Sequence, residues 1–167
     1  MAEKDKVFKT KIKHTGIFNF KDFYEFLYDY FLNENYDIFE DKYIEKLKGE
    51  SKDVEVKWTA TKEVTDYFKY EVTLSWLILG MKKVKVKKDG KEIYMDTATM
   101  DMRFDANLVK DYEHRWENHP FWKFLRGMYD RYIIKTRTEE IEMKIFQEVN
   151  EIVAQAKSFL AIEGQRS

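Results

Sequence analysis

Residues 138–162 read TEEIEMKIFQEVNEIVAQAKSFLAI, and this stretch decides how the rest of the chain must be arranged. Its apolar side chains recur every three or four residues, and charged side chains fill the faces between them. We therefore predict an amphipathic helix over Thr138 to Ile162, long enough to cross a small domain. A stripe of that length needs a large apolar partner surface. The stripe consists of Ile141, Ile145, Val149, Ile152, Val153, Ala156, Phe159 and Leu160.

The partner surface is predicted in the middle of the chain, where apolar and polar residues alternate with a period of two. The alternation covers three segments, at 54–61, 68–78 and 84–87. Asp89-Gly90 is a strong signal for a two-residue hairpin turn, which joins the last segment to a return strand. Long strands joined by short turns predict an antiparallel meander.

The return strand changes the parity of its apolar residues part-way along. Ile93 and Met95 occupy one parity, whereas Ala98 and the later apolar residues occupy the other. We expect a β-bulge near Asp96-Thr97, which would let the sheet curve around the final helix.

The N-terminal part predicts a strand and then a helix. Phe8 to His14 alternate with lysines, and Asn19 is the expected N-cap of a helix that runs to about Leu32. The segment from Tyr36 to Lys48 is compatible with either a helix or a strand. Apolar residues at i, i+4 and i+8 favour a helix, whereas aromatic and β-branched content favours a strand that pairs with the next one.

The segment before the final helix is rich in charge. A short helix is expected from Phe121 to Tyr132, because Pro120 fits a first helical turn. The preceding residues hold the densest group of potential metal ligands, but the two histidines are five apart and do not fit a helical pair. We predict a solvated connector and no metal site there. The group consists of Asp111, Glu113, His114, Glu117 and His119.

Composition predicts one globular domain over residues 1–167, with 1–5 disordered and 163–167 a frayed tail. The chain is 44% hydrophobic and 37% charged, with aromatic residues at 17%. The absence of cysteine excludes a disulfide framework, a thiolate nucleophile and cysteine-ligated zinc.

Charge and hydropathy narrow the classes of partner. A net charge of −1 does not predict attraction to nucleic acid or to an anionic membrane. The most apolar run, Leu74 to Met81, is too short for a transmembrane segment, and the charged N-terminus does not resemble a signal peptide. We expect a soluble, cytoplasmic protein, whose oligomeric state the sequence does not determine.

The order of elements is strand, helical region, curved antiparallel meander and long C-terminal helix. It resembles the helix-grip fold of START-type and plant-allergen-type ligand-binding proteins, an α+β class in which a curved sheet wraps the last helix. The chain departs from the plant-allergen branch in one respect: the glycine-rich loop of that branch is absent, and the corresponding turn reads Lys48-Gly49-Glu50-Ser51. The resemblance implies an apolar cavity between sheet and helix, in a fold that hosts both carriers and enzymes.

The inner face of the sheet and the helix stripe supply the candidate ligand-binding residues. They either line a cavity for a hydrophobic or aromatic small molecule or lipid, or they form a filled core. The first alternative predicts a non-enzymatic binding protein, and the second a protein-interaction or structural module. The candidates are His14, Trp58, Tyr70, Trp76, Met100, Met102, Phe104, Ile145, Val149 and Val153.

His14 is the one candidate with acid–base chemistry, because it falls on the apolar parity of the first strand. An enzyme would need a second acid or base within hydrogen-bond reach of it. The sequence assigns no such partner, so we predict no catalytic residue and no cofactor, and an enzyme is the less favoured class.

Overall fold

A computed structural model describes residues 3–110, 121, 124–125, 128 and 135–164. The charged segment at 111–119 and most of the helix expected over Phe121 to Tyr132 lie outside these ranges, although Phe121, Phe124, Leu125 and Met128 are helical. In chain order the main elements are β1 (Glu3–Phe18), α1 (Phe20–Asn33), β2 (Asp37–Lys48), β3 (Ser51–Glu63), β4 (Phe68–Lys88), β5 (Lys91–Lys110) and α2 (Lys135–Gly164).

The strands form one open, five-stranded sheet in the order β1-β5-β4-β3-β2, with every neighbouring pair antiparallel. The predicted α+β class and the meander are therefore confirmed. Asp89 and Gly90 have φ angles of 52° and 78°, as a tight turn between β4 and β5 requires. β1 begins at Glu3, within the segment expected to be disordered, because its first residues pair with the end of β5.

Both helices cover the same face of the sheet, which we call the inner face. Asn19 caps α1 as expected, since its side-chain oxygen accepts a hydrogen bond from the backbone N–H of Asp22 at 3.1 Å. The α2 stripe is buried except for Phe159, which is partly buried, and α1 meets α2 where the rings of Phe23 and Phe26 lie 5.5 and 5.1 Å from that of Phe159. A curved antiparallel sheet followed by a C-terminal helix is compatible with a helix-grip arrangement.

The segment at 36–48, for which the sequence left helix and strand as alternatives, forms a strand over Asp37–Lys48. β2 pairs with β3 along its whole length, from Asp37 opposite Thr61 to Lys48 opposite Ser51. Gly49 has a φ of 63° and serves the turn between the two strands. Cross-strand pairing with β3 therefore outweighs the helical spacing of the apolar residues. Because β2 lies at the edge of the sheet, most of its side chains are exposed.

The irregularity expected near Asp96-Thr97 lies close by, on the partner strand. The register of β4 and β5 shifts between Leu79 and Lys82, where two residues of β4 oppose Ala98 alone. Gly80 has a φ of 65°, and its N–H donates to Asp53 Oδ1 at 2.9 Å. The extra residue lies in β4 and leaves the alternation of β5 unbroken, so Ile93 and Met95 lie on the opposite face of the sheet from Ala98 and pair there with Val86 and Val84.

Candidate functional site: the interface between sheet and helices

The structure brings nine of the ten candidate residues into one apolar cluster between the sheet and the helices. Each of the nine is at most 4% exposed. His14 is half-buried and stands outside that cluster. Its Nε2 lies 3.3 Å from the carbonyl oxygen of Ile17, and its ring contacts Phe18. Among the described residues no acidic or basic side chain forms a hydrogen bond with His14.

Helix α1 supplies aromatic side chains that the sequence did not single out for the site. Trp58 and Trp76 lie side by side on the inner face, with ring centroids 5.0 Å apart. Phe20, Phe23 and Tyr24 of α1 pack on Trp76, with centroid distances of 6.2, 5.7 and 5.7 Å. Their spacing of three and four along the helix was the available signal, because such residues share one helix face. We call these five residues the aromatic cluster.

The polar atoms of the aromatic cluster are unevenly satisfied. Trp58 Nε1 donates to Glu40 Oε2 at 3.0 Å, and the Tyr24 hydroxyl donates to the same carboxylate oxygen. Burial, together with Glu40, raises the pKa of Tyr24 above its ordinary value. In contrast, Trp76 Nε1 is buried and has no acceptor within the described part of the chain. One of the two indole N–H groups in the cluster therefore has no hydrogen-bond partner among the described residues.

A second polar group surrounds Lys62, which follows Trp58 on β3 by four residues. At ~3.3 Å per residue this places the group about 13 Å from Trp58. Glu148 of α2 accepts from the Tyr36 hydroxyl at 2.8 Å and from Lys62 Nζ at 3.0 Å. The Tyr70 hydroxyl donates to the carbonyl oxygen of Ile141 at 3.1 Å. Burial and then Glu148 raise the pKa of Tyr36, and the same causes raise that of Tyr70 to about 12. These bonds tie α2 to the sheet.

An open pocket of about 380 Å³ adjoins the aromatic cluster at the start of α1. Phe20 belongs to both, and Leu47 and Met81 line the pocket from the sheet side. Asp96 forms part of its wall. This carboxylate is 4% exposed, and it accepts from the Phe20 N–H at 3.1 Å and pairs with Lys83 at 2.8 Å. The pocket gives solvent a route to the edge of the cluster.

The described residues form neither a metal-binding cluster nor a membrane-spanning helix. Within those ranges no group of three or more His, Cys, Asp or Glu residues is placed to hold a metal ion. The potential ligands at 111–119 lie outside the ranges. No helix among the described segments is both long and apolar enough to cross a membrane.

Comparison with known proteins gives no relative: no family model, curated protein or solved structure matches this chain.

Proposed function

We propose that this is a non-enzymatic binding protein of helix-grip type. Its ligand is a small molecule with an aromatic or other apolar body and a hydrogen-bond acceptor, held between α1 and the sheet. The observation that carries the proposal is the indole N–H of Trp76, which is buried without an acceptor among the described residues.

An unpaired buried donor has a cost that a ligand can remove. Leaving such a group unsatisfied costs about 1–3 kcal/mol. Trp58 occupies the same cluster with the same chemistry, and its N–H has an acceptor in Glu40. A ligand carbonyl, ether or carboxylate oxygen beside Trp76 would satisfy the second indole in the same way.

The surroundings of Trp76 suit an apolar ligand body. Phe20, Phe23 and Tyr24 present ring faces and edges to it, and offset or edge-to-face contacts with a further ring are favourable. The pocket beside Phe20 provides the approach. Binding would require α1 to shift outward, because the aromatic cluster is closely packed.

The test follows the indole signals by NMR while a library of aromatic acids, lipids and sterols is titrated. The four tryptophans give four indole N–H signals, and Trp76→Phe identifies one of them by its loss. A true ligand moves the Trp76 signal and raises the melting temperature. Trp76→Phe should weaken binding about tenfold or more, which is about 1.4 kcal/mol.

Tyr70→Phe is the matched control, because it removes a polar atom of the inner face that already has its acceptor in Ile141. This variant should bind the ligand as the wild type does once its own stability change is subtracted. A library that moves no Trp76 signal, or a ligand that binds Trp76→Phe unchanged, would argue against the proposal.

A second candidate function is a self-association module, which the exposed edge strand favours. Phe39 and Leu47 of β2 are 68% and 82% exposed, and one edge of this strand pairs with no other strand in the described part of the chain. The occupant that fits is a second copy paired antiparallel about a two-fold axis. That pairing sets the acidic start of β2, at Asp37, against its basic end, at Lys48.

Light scattering over a range of protein concentrations tests this second candidate. A dimer that becomes monomeric in Leu47→Glu supports it, and Leu77→Glu is the control, because Leu77 is 43% exposed on an internal strand. A wild-type protein that stays monomeric at every concentration contradicts it.

A further inference from the structure

The outer face of the sheet, opposite the helices, carries a row of basic residues that crosses all five strands. Lys42 lies opposite Lys57, Lys57 opposite Ser75, Ser75 opposite Arg103, and Arg103 opposite Lys11. We call these five residues the central row. It contains four cations and one hydroxyl, and Ser75 stands in the middle.

The two neighbouring rows are built differently. There β1 and β5 set opposite charges against each other, with Lys13 facing Asp101 and Lys9 facing Asp105. In the central row the same two strands set Lys11 against Arg103. Like charges directly opposite each other destabilise an antiparallel pair, so this arrangement is unfavourable in the free protein.

Carboxylates of the described residues neutralise the central row only in part. Lys42 pairs with Glu55 at 2.8 Å, but the nearest contact between Arg103 and Asp101 is 3.8 Å, too long for a hydrogen bond. Lys57 and Lys11 have no carboxylate partner in the described part of the chain. Positive charge is therefore left over on both sides of Ser75.

An open depression of about 870 Å³ lies over this row. Lys42, Lys57, Ser75 and Arg103 contribute to its lining. Its volume is in the range of small-molecule sites. A ligand in the depression would lie on Lys57, which has no carboxylate partner among the described residues, and on Arg103.

We propose that the central row binds the phosphate group of a small phosphorylated molecule, with the phosphate over Ser75. Neighbouring strands are ~4.8 Å apart, so the Cα atoms of Lys57 and Arg103 are about 10 Å apart on either side of Ser75. Both side chains are long enough to converge on one phosphate. Lys57 and Arg103 donate charge-assisted hydrogen bonds to its oxygens, and the Ser75 hydroxyl donates a third.

The acidic residues around the central row favour binding of a small phosphorylated ligand over binding of a nucleic acid. Asp41, Glu55, Asp101 and Asp105 also line the depression, on both flanks of the central row. They would repel the further phosphates of a polynucleotide that ran across the face. A compact anion meets the cations and avoids the flanks.

Titration with pyrophosphate at constant ionic strength, with sodium chloride as the compensating salt, tests the proposal. Amide signals of Lys57, Ser75 and Arg103 should shift and saturate together. The Lys57→Gln, Arg103→Gln double variant should lose about tenfold or more in affinity, since each substitution removes a charge-assisted bond. The control is Lys6→Gln, Lys13→Gln, which makes the same charge change on the same face but outside the depression and should alter affinity less than about threefold.

The free protein supplies an independent readout. At low salt Lys57→Gln should raise the melting temperature, because it relieves repulsion from Lys42, whereas Lys9→Gln should not. Three results would overturn the proposal: shifts that sodium chloride alone reproduces, equal affinities in the two double variants, or a single-stranded oligonucleotide that binds more tightly than pyrophosphate.

Discussion

The Tyr36 hydroxyl donates a hydrogen bond of 2.8 Å to Glu148, and this bond joins the turn after α1 to the middle of α2. Lys62 of β3 reaches the other oxygen of the same carboxylate at 3.0 Å and lies 5.4 Å from the centre of the Tyr36 ring. One carboxylate thus connects three parts of the chain that are distant in sequence, where both helices meet the sheet.

Tyr36→Phe should lower the free energy of unfolding by about 1.5–3 kcal/mol, the usual range for a hydrogen bond to a charged group. Tyr36 is 1% exposed, so water does not replace the lost donor readily. Urea denaturation measures the change. Tyr43→Phe is the control. Its hydroxyl bonds to Glu45 at 3.0 Å, but Tyr43 is 42% exposed, and its loss should cost less than about 0.5 kcal/mol. Equal costs would contradict the expectation.

The protein should lose stability in alkali above pH 10. Burial raises the pKa of Tyr70 from 10.0 to about 12, and that of Tyr36 is also raised. The folded state then holds protons that the unfolded state has released. The stabilisation is complete below pH 10 and is lost as the pH rises through 12, at about 1.4 kcal/mol per pH unit for each such tyrosine.

Urea denaturation at several pH values between 9 and 12 measures this slope, with the pH range set by the raised pKa values. Tyr70→Phe should reduce the dependence of the unfolding free energy on pH by about 1.4 kcal/mol per pH unit, which is the contribution of one tyrosine. A variant with the wild-type slope would show that Tyr70 ionises equally in both states.

Local signals predicted the parts of the fold that depend on neighbours in sequence. Asn19 as a helix cap and Asp89-Gly90 as a turn need only a few residues, and both are confirmed. The state of residues 36–48 depends on pairing with β3, which no local pattern specifies. The central row on the outer face depends further on the register shift in β4, which lies between Ser75 and the turn that leads to β5. Because one shift moves every later side chain, the sequence could not align Lys57 with Arg103.

The candidate site was predictable as a surface, but its hydrogen bonds were not. Alternation placed Trp58 and Trp76 on the inner face, where both are buried. Which of the two indoles has an acceptor depends on Glu40, a residue of the edge strand 18 positions before Trp58. The aromatic cluster also needed the orientation of α1, which depends on tertiary packing.

The two tryptophans should respond differently to the same substitution in the absence of ligand. Trp58 and Trp76 are 0% and 1% exposed, so replacement by Phe removes a similar amount of buried surface. Trp58→Phe also removes a donor to the Glu40 carboxylate, whereas Trp76→Phe removes an N–H that has no acceptor among the described residues. Trp58→Phe should therefore be more destabilising by about 1–2 kcal/mol. Chemical denaturation compares them, and a larger loss in Trp76→Phe would indicate an acceptor for its indole.

Gly80 should be intolerant of a side chain because of its backbone angle and not because of crowding. Its φ is 65°, yet an added Cβ would meet no atom within 4 Å. Gly80→Ala should cost about 1–2 kcal/mol, the usual penalty for the left-handed conformation. Gly80→Asn should cost less, since asparagine tolerates this conformation better. Thermal denaturation distinguishes the two causes. Crowding would make asparagine the worse substitution because it is larger, and that order would refute the explanation from φ.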